Sequence, residues 1–344
     1  MRAMVLSKFS NPLRMEEVPD PQAGPDEVVV KVRACAPDML DVKTRAGQSD
    51  VKLPRVLGHE IAGEIAEVGG SVKNVHIGDR VAVYDYLNCG ACEFCWNGRE
   101  TLCRNNKGIV GLAIDGGFAE YIKVPGRNVL PIPSDVSNKT ATTLVSPVST
   151  SLHALRERAK VSPGDHLLIV GAAGGVGIHM VQVAQLFGAR VIGADISDEK
   201  NEKTKKYGTE VTVNTSVRPF DSSFDEAIME ATGGGGLQVA IDLYGSSKSL
   251  AACYRCLDTA GTLVRIGSRV GDRLEIDPED LTKKEIVLTG CRYNTKEEFN
   301  KSLELVRAGK VEPVVSFSFP LSEVNEVLDK IEQNLIFGRG VAVL

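Results

Sequence analysis

The sequence predicts an α/β protein in two parts, a β-rich domain over the first half and a doubly wound parallel sheet over the second. Three observations predict it. Up to residue 148, short runs rich in β-branched residues alternate with glycine and proline turn signals. From residue 161, apolar strands alternate with helical segments. The first of those later strands ends in a glycine cluster, "HLLIVGAAGGVG", and leads into a helix.

The elements follow in order. In the first half, "EVVVKVRA", "EIAGEIAEVG", "RVAVYDY", "FAEYIKV" and "VLPIP" read as short strands of a barrel or sandwich. In the second, the glycine cluster is followed by the helical "IHMVQVAQLFGA". The strand "RVIGADIS" and the charged helix "DEKNEKTKKYG" come next. "EVTVN", "LQVAIDLYG", "GTLVRIG" and "EIVLTGC" continue the alternation. "SLAACYRCLDTAG" reads as one amphipathic helix ending near Gly261, which makes Cys253 and Cys256 core residues rather than a redox pair. The last stretch holds the helix "TKEEFNKSLELVRAGK", the extended "PVVSFSFP", a second helix, and "GRGVAVL", a strand returning to the first domain.

Composition narrows the function. With 344 residues, 43% hydrophobic and 25% charged, two packed domains are expected. A net charge of −5 offers no basic field to a nucleic acid or an anionic membrane, so the expected partner is a small-molecule substrate. The opening residues are broken by Lys8, Pro12 and Arg14, and no apolar run has the length of a membrane span. A soluble, cytoplasmic protein is the expectation.

Two motifs carry chemistry. "NCGACEFCWNGRETLC" places Cys89, Cys92, Cys95 and Cys103 at C-x2-C-x2-C-x7-C spacing. Four thiolates on a short glycine-containing loop suit a closed tetrahedral Zn²⁺ with a structural role, and zinc is preferred to an iron–sulfur cluster. Gly171, Gly174, Gly175 and Gly177 lie between strand and helix, where bare backbone can approach a pyrophosphate at the helix start. Asp195, closing the next strand, is placed to accept both ribose hydroxyls of an adenosine and to repel a 2′-phosphate, so NAD is expected over NADP.

These motifs, with "LGHEIAGEIAEVG" followed by "GDRVAV", resemble the zinc-containing medium-chain alcohol dehydrogenases over nearly the whole chain and in the same order. The resemblance implies a GroES-like catalytic domain over 1–148 and 291–344, a Rossmann NAD-binding domain over 149–290, and a cleft between them. It implies hydride transfer between nicotinamide and an alcohol, polyol or sugar, in a homodimer or homotetramer. It assigns Cys89, Cys92, Cys95 and Cys103 to the structural zinc, and His59, with Glu60 beside it, to a catalytic zinc. It assigns Gly171, Gly174, Gly175, Val176, Gly177, Asp195, Lys200, Ile266, Gly267 and Arg339 to the cofactor, and sets Thr150 near the nicotinamide.

The segment "VKVRACAPDMLDVKTRAG" departs from the family pattern. Matched without a gap on Asp41 and Gly47, the first ligand position falls on Asp38 and not on Cys35. The third is Ser146, a poor ligand, and the proton-relay positions have become Leu40 and Lys43. Asp41, which in the family orients the metal-bound histidine, is kept. Three readings follow. A zinc on Asp38, His59 and Glu60 would support alcohol oxidation, with the proton leaving through Asp38, Lys43 or water. Without that zinc, reduction of an activated C=C bond fits, with Lys43 or a backbone N–H stabilising the charge. The third is a nucleotide-binding protein that has lost catalysis.

Overall fold

The valine-rich run Glu27–Ala36 forms the central strand of the first unit, and its side chains are buried on both faces. It pairs antiparallel with Glu60–Val68 on one side; on the other, Tyr121–Pro125 and Arg339–Val343 pair with different parts of it. Arg80–Val83 and then Val129–Pro131 extend the sheet beyond Glu60–Val68, and Val315–Pro320 lies parallel outside Arg339–Val343. A small sheet of Arg14–Glu17, Arg2–Leu6 and Arg55–Val56 completes the β-rich part. Val28, Val30, Ile61, Ile65, Val81, Val83 and Phe118 form its core, each contributing about 1.5–3 kcal/mol by burial.

The computed structural model describes residues 1–344. They divide into two units, Met1–Ser146 with Thr295–Asn300 and Val315–Leu344, and Pro147–Asn294 with Lys301–Val314.

The second unit is built on six parallel strands in the order Thr209–Asn214, Arg190–Asp195, His166–Val170, Leu237–Asp242, Leu257–Arg265, Val287–Gly290. The order reverses direction on either side of His166–Val170, the strand that carries the glycine loop, which is where such sheets bind ligands. One sequence expectation fails in this sheet. The helix of "SLAACYRCLDTAG" is Ser247–Arg255, and Leu257–Arg265 is already strand. Leu257 pairs with Leu237, and from Thr262 the strand runs between Leu237–Asp242 and Val287–Gly290, which outweighs helical periodicity. Gly261, read as a helix stop, lies in an irregularity of the strand where a Cβ would meet the Asp258 and Leu237 carbonyl oxygens at 2.9 Å. Cys253 and Cys256 are buried, as the core reading expects. No helix is long and apolar enough to cross a membrane.

Candidate functional site

The glycine loop shows why its residues are small. Gly171 turns at φ +86°, and a Cβ on Gly177 would come within 2.1 Å of the Gly171 carbonyl oxygen. The helix Gly175–Leu186 therefore packs directly on the end of its strand, with Val176 in its first turn. Asp195 closes over this loop. One oxygen accepts the Ala173 N–H at 3.1 Å, and the other pairs with Lys200 at 3.1 Å and accepts the Ile196 N–H at 2.9 Å. Ile266 and Gly267 both donate their N–H to the Asp242 carbonyl. A Cβ on Gly267 would strike the Leu243 carbonyl oxygen at 2.3 Å. Thr150 is buried with a hydroxyl that has no partner in the protein. Close backbone, a poised carboxylate and an orphaned hydroxyl fit a dinucleotide.

The four-cysteine loop brings its sulfurs together as a metal would need. Cys92 and Cys95 stand 3.6 Å apart, Cys92 and Cys103 3.8 Å, and Cys89 and Cys95 3.9 Å. Four sulfurs at about 2.3 Å from a tetrahedral Zn²⁺ are about 3.8 Å from one another. The Cys89 N–H reaches the Cys103 sulfur at 3.2 Å. The Ala91 N–H helps hold the Cys89 thiol down to about 6, and burial pushes Cys103 up to about 12. The residues fit the ion.

A second group lies in the same unit. Asp38, His59 and Glu60 hold their potential ligand atoms within 4.8 Å of one another. Asp38 is the N-cap of the helix Met39–Arg45. One of its oxygens accepts the Leu40 and Asp41 N–H groups, and the Asp41 side chain returns the bond to the Asp38 N–H at 3.0 Å. That capping box leaves the other Asp38 oxygen facing His59 Nε2 at 3.6 Å. Asp41 also accepts the Gly58 N–H at 3.0 Å and lies 3.9 Å from His59 Nδ1, so it fixes the turn carrying His59. Both ring nitrogens of His59 lack a hydrogen-bond partner. Glu60 receives Arg339 at 2.6 Å through one oxygen and leaves the other unpartnered.

The electrostatics follow from burial. Burial alone pulls His59 down, but Asp38, Asp41 and Glu60 outweigh it and raise the imidazole to about 10. Burial pushes Glu60 up to about 8 against the pull of Arg339. For Asp38, burial is overcome by His59, Arg339 and the cap N–H groups, which hold the carboxyl below its ordinary range. One imidazole, two carboxylates and excess negative charge form a donor set that fits a divalent cation.

Three more residues can be placed. Lys43 sits half-buried in the last turn of the Met39–Arg45 helix. Cys35 is buried in its strand against Gly58, apart from the ligand group. Arg339 is on Glu60 and 3.9 Å from Asp38. Sequence reasoning missed Asp85, a wholly buried carboxylate with both oxygens unpartnered. The signal was present in "RVAVYDY", where Asp85 continues the face of Val81 and Val83.

Residues 24–134 match the alcohol dehydrogenase GroES-like domain, and residues 175–308 match the zinc-binding dehydrogenase family. The chain is 32% identical to the NAD-dependent alcohol dehydrogenase of Sulfolobus acidocaldarius over 99% of both proteins. It is 31% identical to the acryloyl-coenzyme A reductase of Sulfurisphaera tokodaii over 95% of both. The solved alcohol dehydrogenase of the archaeon Aeropyrum pernix superposes with a TM-score of 0.92 at 29% identity, covering 100% of both chains.

Proposed function

The chain belongs to the alcohol dehydrogenase family of zinc-binding dehydrogenases, and on that premise we propose that it interconverts an alcohol, polyol or sugar and its carbonyl by hydride exchange with NAD. The observation that carries this reading is His59, whose two ring nitrogens are buried, unpartnered and flanked by Asp38 and Glu60. Those three residues would hold a zinc ion which, when bound, polarises the substrate oxygen and lowers the pKa of an alcohol.

The chain's own residues do the rest. Asp41 fixes the Gly58–His59 turn, and so the position of the imidazole. Arg339 neutralises Glu60 and moderates the acidic cluster. Gly171, Gly174, Gly175, Val176 and Gly177 receive the pyrophosphate on bare backbone and a helix start. Asp195, held by Lys200, takes the adenosine ribose. Thr150, Ile266 and Gly267 complete the cofactor contacts. The four-cysteine loop holds the structural zinc. A zinc site of this kind needs its cysteines reduced, which suits a cytoplasmic location. The unpaired outer edge of Val287–Gly290, with Val287 exposed, suits pairing with a second copy in a homodimer or homotetramer.

A second reading has specific support. Leu40 and Lys43 replace the relay, Ser146 replaces a ligand, and a reductase of an activated double bond is among the relatives. Reduction of enones or enoyl thioesters is that reading. Elemental analysis of protein purified without added metal or chelator separates the two. About two zinc ions per chain, with NADH absorbance growing on an alcohol panel, supports the first. About one, with NADH consumed by enoyl substrates, supports the second. For the cofactor, Asp195→Ala should cut the preference for NAD over NADP by about 10–100-fold, the worth of a charge-assisted hydrogen bond. An unchanged ratio of kcat/KM for the two cofactors would remove Asp195 from the ribose site.

A further inference from the structure

Asp85 takes no part in the chemistry described so far. It is wholly buried, and neither carboxylate oxygen meets a donor in the protein. Its backbone is nonetheless pinned on three sides. The buried Asn128 amide donates to the Tyr84 and Tyr86 carbonyls at 2.7 and 2.9 Å, and the Val110 N–H donates to the Asp85 carbonyl at 2.9 Å. A side chain held this firmly while its own polar atoms bond to nothing is arranged for a partner that is not part of the chain.

Its position follows from sheet register. The antiparallel ladder pairs Ile61 with Val83. The ladder ends there, with His59 two residues before Ile61 and Asp85 two residues after Val83, so the segments carrying the two leave the sheet side by side. The charges Asp85 senses are consistent with this: burial raises the group to about 6, while His59 favours its carboxylate form and Asp38 opposes it. Yet Asp85 is not among the three residues whose ligand atoms lie within 4.8 Å of one another. It stands near the ligand group without belonging to it. The two Asp85 oxygens have no donor in the protein, so a hydroxyl or an ammonium group could supply one.

We propose that Asp85 is a substrate-binding residue whose carboxylate receives a hydrogen-bond donor next to the reacting carbinol, so that the preferred substrates are vicinal diols, polyols or amino alcohols rather than simple alcohols. This deepens the oxidoreductase reading and rests on it.

The test compares propan-2-ol, propane-1,2-diol and 1-aminopropan-2-ol with the zinc-loaded enzyme and NAD. In the natural protein kcat/KM for the diol, the amino alcohol or both should exceed that for propan-2-ol by about 10-fold or more. In Asp85→Ala the advantage should fall to within about twofold. Asp85→Asn distinguishes the two donors, since its amide oxygen retains an advantage for a hydroxyl and loses that for an ammonium. The Asp85 oxygens hold nothing in the protein, so both variants should fold, which circular dichroism checks. No advantage in the natural protein, or one undiminished in Asp85→Ala, overturns the proposal.

A binding measurement separates this from failure of the oxidation reading. Diol or amino alcohol, but not propan-2-ol, should raise the melting temperature of the NADH complex, and the shift should vanish in Asp85→Ala. If no alcohol is turned over but this shift is present, the oxidation reading fails and the assignment of Asp85 stands. If the shift is absent, or identical in Asp85→Ala, the assignment fails whatever is turned over.

Discussion

The four-cysteine loop draws all its ligands from one stretch, Cys89–Cys103, whereas the Asp38–His59–Glu60 group is assembled from a helix cap and the start of a strand, with Arg339 brought in from near the end of the chain. The sulfurs of the loop bond only to one another and to donors of the same short stretch, and their spacing of 3.6–3.9 Å already matches a tetrahedral ion. The oxygens of the other group have prior duties: Asp38 caps a helix, and Glu60 binds Arg339. The first site is dedicated to a metal. The second is a polar network in which a metal, a substrate and the protein's own charges compete for the same atoms. The difference predicts that damage to the first shows in stability and damage to the second in chemistry.

The largest effect expected is therefore on folding. Cys95→Ser replaces a thiolate by a neutral hydroxyl, and the variant should lose one zinc per chain and stability on the order of 5 kcal/mol. Urea unfolding with elemental analysis measures both. The pH profile of the folded fraction should be unchanged, and lost catalysis at full stability would contradict a structural role. Next comes the reverse pattern. His59→Ala should lower kcat/KM by about 10³-fold, or about 4 kcal/mol of transition-state stabilisation. It should keep the zinc of the cysteine loop and move the unfolding midpoint less than Cys95→Ser does. If the two variants lose the same property, the contrast between the sites is broken.

The contrast also explains how much was legible in the sequence. The cysteine loop and the glycine loop are local: the ligands of the first and the turn of the second follow from spacing over a few residues. The parallel sheet was legible for the same reason, each strand and helix announcing itself by its own periodicity. What escaped depended on distant partners. "LDTAG" became the start of a strand because Leu257 pairs with Leu237 and the chain runs on from Thr262 between Leu237–Asp242 and Val287–Gly290. The partner of Arg339 within the chain, Glu60, lies 279 residues away, and no spacing announces it. Asp38 was placed at a ligand position, but its duty as a helix cap is visible only once the helix is seen to start at Met39. Asp85 was passed over because one acidic residue after an apolar strand acquires meaning only from what the fold sets near it.

The smallest effect sharpens the same comparison. Asp85 is held near 6 by burial, above the ordinary 3.8 of an aspartate. A group whose affinity for a proton is higher in the folded than in the unfolded state favours folding when protonated, and that contribution is lost as pH rises through the folded value. Above pH 6 the buried carboxylate therefore works against folding. A rise of that size corresponds to about 3 kcal/mol, so Asp85→Asn should stabilise the protein by about 2–3 kcal/mol at about pH 8, with the gain fading as pH falls towards about 4. Urea unfolding of both proteins across that range measures it. A residue that lowers the stability of its own fold at neutral pH is kept for what it binds. If Asp85→Asn is instead destabilising in mild alkali, the carboxylate has a partner within the chain, and the second site is as self-contained as the first.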